Sequence, residues 1–150
     1  LWDLKNDPAS RRILAIMYNH HDLSEMALYP CAYSMTFNVS GNTLNAILNQ
    51  RSQDILTANG WNVMQYAVLL HMIAQGTGFE AGELVHVIAD CHIYDRHVPV
   101  VEELIAREPY DAPQFSLDKS VTDFYDFTPS SVKLEGYQAH PLDQKIPVAV

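Results

Sequence analysis

The 150 residues carry 9 Lys and Arg against 18 Asp and Glu, a formal net charge of −9, with 48% apolar and 18% charged residues. That balance suits one globular domain with its own core, gives no support to broad nucleic-acid binding, and leaves apolar stretches far short of the roughly 20 residues that span a membrane. Two cysteines cannot build a disulfide framework, so a cytoplasmic location is expected. The chain opens "LWDLKNDPASRR" without a Met and is expected to be part of something longer.

After the turn-forming "NDPAS", the apolar run "RRILAIMYN" predicts a first strand. "HHDLSEMALYPC" is polar, is interrupted by Pro30, and reads as a connection. From Ala32 to Val39, the residues Tyr33, Met35, Phe37 and Val39 alternate with Ala32, Ser34, Thr36 and Asn38, the period of a half-buried strand. "SGNT" supplies turn chemistry, and "LNAILNQRS" is the expected return strand of a hairpin. The period then changes. In "WNVMQYAVLLHMIAQGTG", Val63, Tyr66, Ala67, Leu70, Ile73 and Ala74 fall on one helical face, with Gly76 or Gly78 as the stop. "ELVHVIADCHIY" predicts another strand, and "DRHVPVVEELIARE" a second helix with Pro99 near its first turn. The tail "VKLEGYQAHPLDQKIPVAV" holds a short strand at most. The predicted class is α+β, a mixed or antiparallel sheet with helices packed on one side.

Three stretches carry candidate chemistry. Cys31, after Pro30, is either a buried small hydrophobe or a nucleophile at the end of a rigid element. A free thiol is only about 3% thiolate at pH 7, so the second role needs a nearby cation. Arg11, Arg12 and Arg51 are available, and Arg51 ends the strand expected to pair beside Cys31. In "QRSQD", Arg51 and Ser52 can both donate to a phosphate, although a solvated turn with a surface ion pair is the commoner fate of such a string. "DCHIYDRH" offers Cys91, His92 and His97 to a metal, but structural zinc needs a second short-spaced ligand pair and none stands out, so no metal is expected. His92 and Tyr94, two apart, would share a strand face and one ligand.

Taken together, "DPASRR", "MALYPC", "LNQRSQDILTANGWNVMQYAVLLHMIAQ", "ADCHIYDRH" and "LEGYQAHPLDQKIPVAV" resemble the C-terminal part of thymidylate synthase, in order and approximate spacing, over essentially the whole chain. The resemblance implies that residues 1–150 form the C-terminal portion of that catalytic domain, without its N-terminal portion. It implies reductive methylation of dUMP to dTMP, with 5,10-methylenetetrahydrofolate as carbon donor and reductant. Cys31 matches the nucleophile that attacks carbon 6 of the uracil. Arg51 and Ser52 match phosphate ligands, Asn62 matches the amide that reads the uracil edge, and His92 and Tyr94 match the pair on the deoxyribose hydroxyl. Gln53, within the same string, is counted with the substrate-binding residues. Asp54 matches a carboxylate serving both substrate and pterin. Arg11 and Arg12 match arginines lent across a homodimer interface to the partner's phosphate. Ala149 and Val150 match a tail that closes over the folate.

The chain also departs from the family pattern. Ala32 stands where His usually follows the nucleophile, Thr57-Ala58 replaces a usual Leu-Gly pair, and Ala89 replaces a usual Gly. The family's catalytic glutamate, its remaining phosphate arginine and its aromatic folate wall would precede Leu1. A molecule truly beginning there is expected to turn over weakly or not at all. Two alternatives follow: a nucleotide-binding, dimerising fragment without turnover, and a relative that hydroxymethylates cytosine nucleotides. Asn62 disfavours the second, because an acid is expected there.

Overall fold

The computed structural model describes residues 1–142, 145 and 146. In chain order its elements are helix α1 (Trp2–Asn6), strands β1 (Leu14–Ile16), β2 (Ala32–Ser40), β3 (Thr43–Gln50) and β4 (Gln53–Asp54), and helix α2 (Asn59–Thr77). There follow β5 (Glu80–Ile88), β6 (Cys91–His92), helix α3 (Val98–Ile105), β7 (Gln114–Leu117) and β8 (Val132–Glu135). The main sheet has the order β1-β2-β3-β5, with β4-β6 and β7-β8 as two-stranded ribbons. The α+β expectation holds.

The predicted hairpin is β2 paired antiparallel with β3, closed by Ser40 opposite Thr43. Its two-residue turn places Gly41 at φ 61°, a backbone region that glycine enters without steric cost. β5 then joins β3 in parallel, which demands a crossover, and α2 provides it. Met35, Phe37, Leu44, Ala46 and Leu48 from the sheet meet Leu70, Ile73 and Ala74 from α2, with Leu4 and Ile13 closing one side of the core. The other sheet face stays open: Leu14, Ile16, Ile47, Val85 and Val87 are exposed there.

Several expectations change in detail. Only Leu14–Ile16 of "RRILAIMYN" is a strand. The single strand expected over "ELVHVIADCHIY" is two, because the chain leaves β3 at Ala89, whose amide donates to Gln50 O at 3.0 Å, and then pairs with β4 instead. Tyr94 therefore lies beyond β6 rather than on a strand face with His92. Helix α2 ends at Gly78, with φ 84°, the left-handed stop that glycine allows. Gly76 is interior, where an added Cβ would meet Phe124 at 3.3 Å. On α2's predicted face Leu70, Ile73 and Ala74 are buried but Val63 is exposed. Trp61 and Met64 are exposed as well, so apolar residues line more of α2 than one core contact can cover. A tight turn, Asp95–His97, precedes α3, leaving the second helix shorter than predicted. The tail's short strand is β8, and it pairs with β7, which periodicity did not indicate.

Candidate active site

Cys31 sits half-buried at the entrance to β2, where the β2–β3 ladder ends. Arg51, the residue after β3, closes that end. Its amide donates to Cys31 O at 2.8 Å. Its guanidinium folds back over the incoming loop, Nε donating to Pro30 O at 3.1 Å and Nη2 to Tyr29 O at 2.8 Å. The same Nη2 lies 3.9 Å from Cys31 Sγ. Two carbonyls thus hold a delocalised cation against the sulfur. Among the described residues the Nη1 hydrogens meet no partner and are left for an anion.

Behind this pair runs a buried amide network. Gln50, the last residue of β3, and Gln53, the first of β4, are each only 1% exposed. Gln50 Nε2 donates to Ser52 O at 2.8 Å and to Gln53 Oε1, while Gln50 Oε1 is 2.9 Å from His86 Nε2. Because an amide oxygen only accepts, His86 carries its proton on Nε2 here. Burial lowers the His86 pKa below its ordinary value. Gln53 Oε1 accepts a second hydrogen bond, from Asn62 Nδ2 at 3.0 Å, and among the described residues buried Gln53 Nε2 meets no partner.

Asp54 caps the turn that leads into α2. Its Oδ1 accepts from the Leu56 amide at 3.0 Å and the Thr57 amide at 3.3 Å, its Oδ2 accepts from the Thr57 hydroxyl, and His97 Nδ1 lies 3.9 Å away. Burial pushes the Asp54 carboxyl up, but the Thr57 hydroxyl, the Thr57 and Leu56 amides and His97 outweigh it, and the net shift is downward. Thr57, a departure from the family pattern, thus anchors this carboxylate.

Ser52, His92 and Tyr94 line one open groove of about 460 Å³, together with Asp90, Ile93 and Asp95. The His92 and Tyr94 rings meet edge-to-face at 5.1 Å, and His92 Nδ1 is 3.6 Å from Asp90 Oδ1. Arg11 and Arg12 are elsewhere. They are exposed before β1, where Ile13 pairs with Phe37. Six residues of strand at about 3.3 Å each put them ~20 Å from Cys31 in the same chain. Ala149 and Val150 lie outside the described residues. Among the described residues no three of His, Cys, Asp and Glu gather into a metal-sized group. Gln50 and His86 escaped the sequence reading, and His97, considered there only as a metal ligand, is found beside Asp54 instead. Gln50 lies between Asn49 and Arg51 at the end of a strand that also carries Asn45, so nothing local set it apart from its polar neighbours.

A family model described as thymidylate synthase matches residues 1–150. Thymidylate synthase of Bacillus atrophaeus is 42% identical over 138 residues, covering 92% of this chain and 61% of that protein. Thymidylate synthase 1 of Bacillus subtilis (strain 168) is 42% identical over 138 residues, 92% of this chain and 50% of its own length. The solved structure of thermostable thymidylate synthase A from Bacillus subtilis matches with TM-score 0.93 at 41% identity, over 99% of this chain and 53% of that one. The chain therefore spans between half and about three-fifths of these relatives.

Proposed function

Because the chain belongs to the thymidylate synthase family, we propose that its protein methylates dUMP to dTMP, with residues 1–150 as the C-terminal portion of the catalytic domain. The observation that carries this reading is the Arg51 guanidinium, pinned by two carbonyls and 3.9 Å from Cys31 Sγ. In this reading Cys31 sulfur, as thiolate, adds to carbon 6 of the uracil, and the displaced electron pair makes carbon 5 an enolate nucleophile. Arg51 Nη1 and the Ser52 hydroxyl take the phosphate. Asn62 reads the base: Oδ1 accepts from N3–H, and the Nδ2 hydrogen not used by Gln53 donates to O4. His92 and Tyr94 hold the deoxyribose hydroxyl. Expulsion of the sulfur from carbon 6 ends the cycle.

When bound, 5,10-methylenetetrahydrofolate supplies the carbon and the reducing hydride. The residues present fit part of it. Asp54 keeps its carboxylate ionised for pterin N–H groups, and Trp61, 78% exposed one residue before Asn62, presents a flat apolar surface. Ala149 is assigned to closing over this site.

The open sheet face of Leu14, Ile16, Ile47, Val85 and Val87 is assigned to a second copy of the chain, since contiguous apolar surface of this kind marks an interface. Such a pairing is the means by which Arg11 and Arg12, distant from their own Cys31, reach the partner's phosphate. The cytoplasmic setting expected from the free Cys31 and Cys91 belongs to the same proposal. The test is the intact mass of the full-length protein after incubation with 5-fluoro-dUMP and methylenetetrahydrofolate. A covalent ternary adduct, absent in Cys31→Ala, is expected. Absence of any adduct from the unsubstituted protein refutes the reading.

A further inference from the structure

We infer that Gln53 is a positioning residue that sets which pyrimidine Asn62 accepts, by locking the orientation of the Asn62 side-chain amide. The inference rests on the reading of this site as one for a uracil nucleotide. An Asn amide is nearly symmetric in shape but opposite in hydrogen-bonding sense at its two ends. With Oδ1 toward N3 and Nδ2 toward position 4, it complements uracil, whose N3 donates and whose O4 accepts. Turned by 180°, the same amide complements cytosine, whose N3 accepts and whose 4-amino group donates. Asn62 alone therefore does not choose between the two bases. A neighbour that only accepts does.

That neighbour is Gln53 Oε1, 3.0 Å from Asn62 Nδ2. Turning Asn62 over would bring Oδ1 against Oε1, two acceptors with no hydrogen between them. Gln53 in turn is kept from turning by its own surroundings. Its Oε1 also accepts from Gln50 Nε2, and Gln50 is oriented by donating to Ser52 O at 2.8 Å and by accepting from His86 Nε2 at 2.9 Å. The chain of donors runs His86 to Gln50 to Gln53, and every sense in it is imposed by a main-chain carbonyl that cannot donate. Gln53 is 1% exposed, so water does not substitute for its oxygen when it is removed. Its backbone is fixed as well, with Gln53 N donating to Asp90 O at 2.8 Å.

The experiment measures dissociation constants of dUMP and dCMP by titration calorimetry on the full-length protein and two variants. Gln53→Met keeps length and bulk but has no strong acceptor. Gln53→Glu keeps the acceptor oxygen and discards Nε2. For Gln53→Met the dUMP-over-dCMP preference should fall about tenfold, the weight of one hydrogen bond, at 1.4 kcal/mol per factor of ten. For Gln53→Glu the preference should stay within about threefold of the starting protein, the scatter between neighbouring hydrogen-bond strengths. A folded Gln53→Met with undiminished preference overturns the inference. If Gln53→Met does not fold, Gln53→Glu decides: collapse of its preference, or loss of dUMP affinity showing that Nε2 itself is the substrate's donor, overturns the inference too. An unsubstituted protein that binds neither nucleotide refutes the uracil-nucleotide reading instead, and the inference falls with it.

Discussion

Replacing Gly82 by Ala adds a methyl to the one place where β5 is out of step with β3. The register runs Leu44↔Ala81 and then Ala46↔Leu84, so β5 carries an extra residue opposite Asn45. Asn45 fills the irregularity, its Oδ1 accepting from the Glu83 amide at 2.9 Å. A Cβ on Gly82 would lie 2.3 Å from Asn45 Oδ1, 2.4 Å from Thr43 Cγ2 and 3.0 Å from Leu44 O. The first atom can leave only by giving up its hydrogen bond. The second belongs to a β-branched side chain with few rotamers. The third is ladder backbone. Overpacking of this kind costs about 1–3 kcal/mol, against which the stiffer unfolded chain returns roughly 0.4–1, leaving about 1–2 kcal/mol of destabilisation. For a chain of this size that lowers Tm by roughly 2–8 °C. Calorimetric or circular-dichroism melts of Gly82→Ala measure it, with Thr43→Ser in the same background expected to recover part of the loss. Gly60→Ala, whose Cβ meets nothing within 4 Å, is expected to melt at or above the starting temperature. A Gly82→Ala protein as stable as its parent refutes the reasoning, since the register of β5 would then not depend on that close approach.

Gly78→Ala should cost about 1 kcal/mol, because φ 84° at the end of α2 is strained for any residue with a Cβ; a urea titration with an unchanged midpoint would contradict this. Burial holds both His71 and His86 below their ordinary 6.5, so the unfolded chain takes up protons first. Their contribution to stability is complete above pH 6.5 and lost as the pH falls below it. The urea midpoint should drop between pH 7 and 5, and drop less in His86→Gln. Asp54 acts in a separate window: its contribution is present above 3.8 and lost as pH falls through its lowered pKa. Val85→Lys, on the open sheet face, should convert a dimer to a folded monomer in light scattering, since a buried unpaired charge at an interface is costly; an unchanged mass would remove that face from the proposed pairing.

The sequence by itself determined the elements whose signal is local. The alternation from Ala32 to Val39 is a strand because successive side chains leave a pleat on opposite sides. Gly41 marks the hairpin turn because glycine enters its positive φ freely, while the helix stop stays open between Gly76 and Gly78 until the structure places it at Gly78. The string "QRSQD" displays its polar residues where a strand stops, so Arg51, Ser52 and Asp54 stand out from the local pattern, whereas Asn62 is reached only through the family resemblance. Tertiary structure decided everything that depends on which element lies beside which. That β5 runs parallel to β3, and that the chain changes partner at Ala89, follows from a crossover through α2 that no period encodes. The same placement brings His86 to Gln50 across 36 positions of sequence, and Arg51 back to Tyr29 and Pro30. Composition cannot show such meetings, because a hydrogen bond depends on distance and direction in space, and the packing of the core is what sets both.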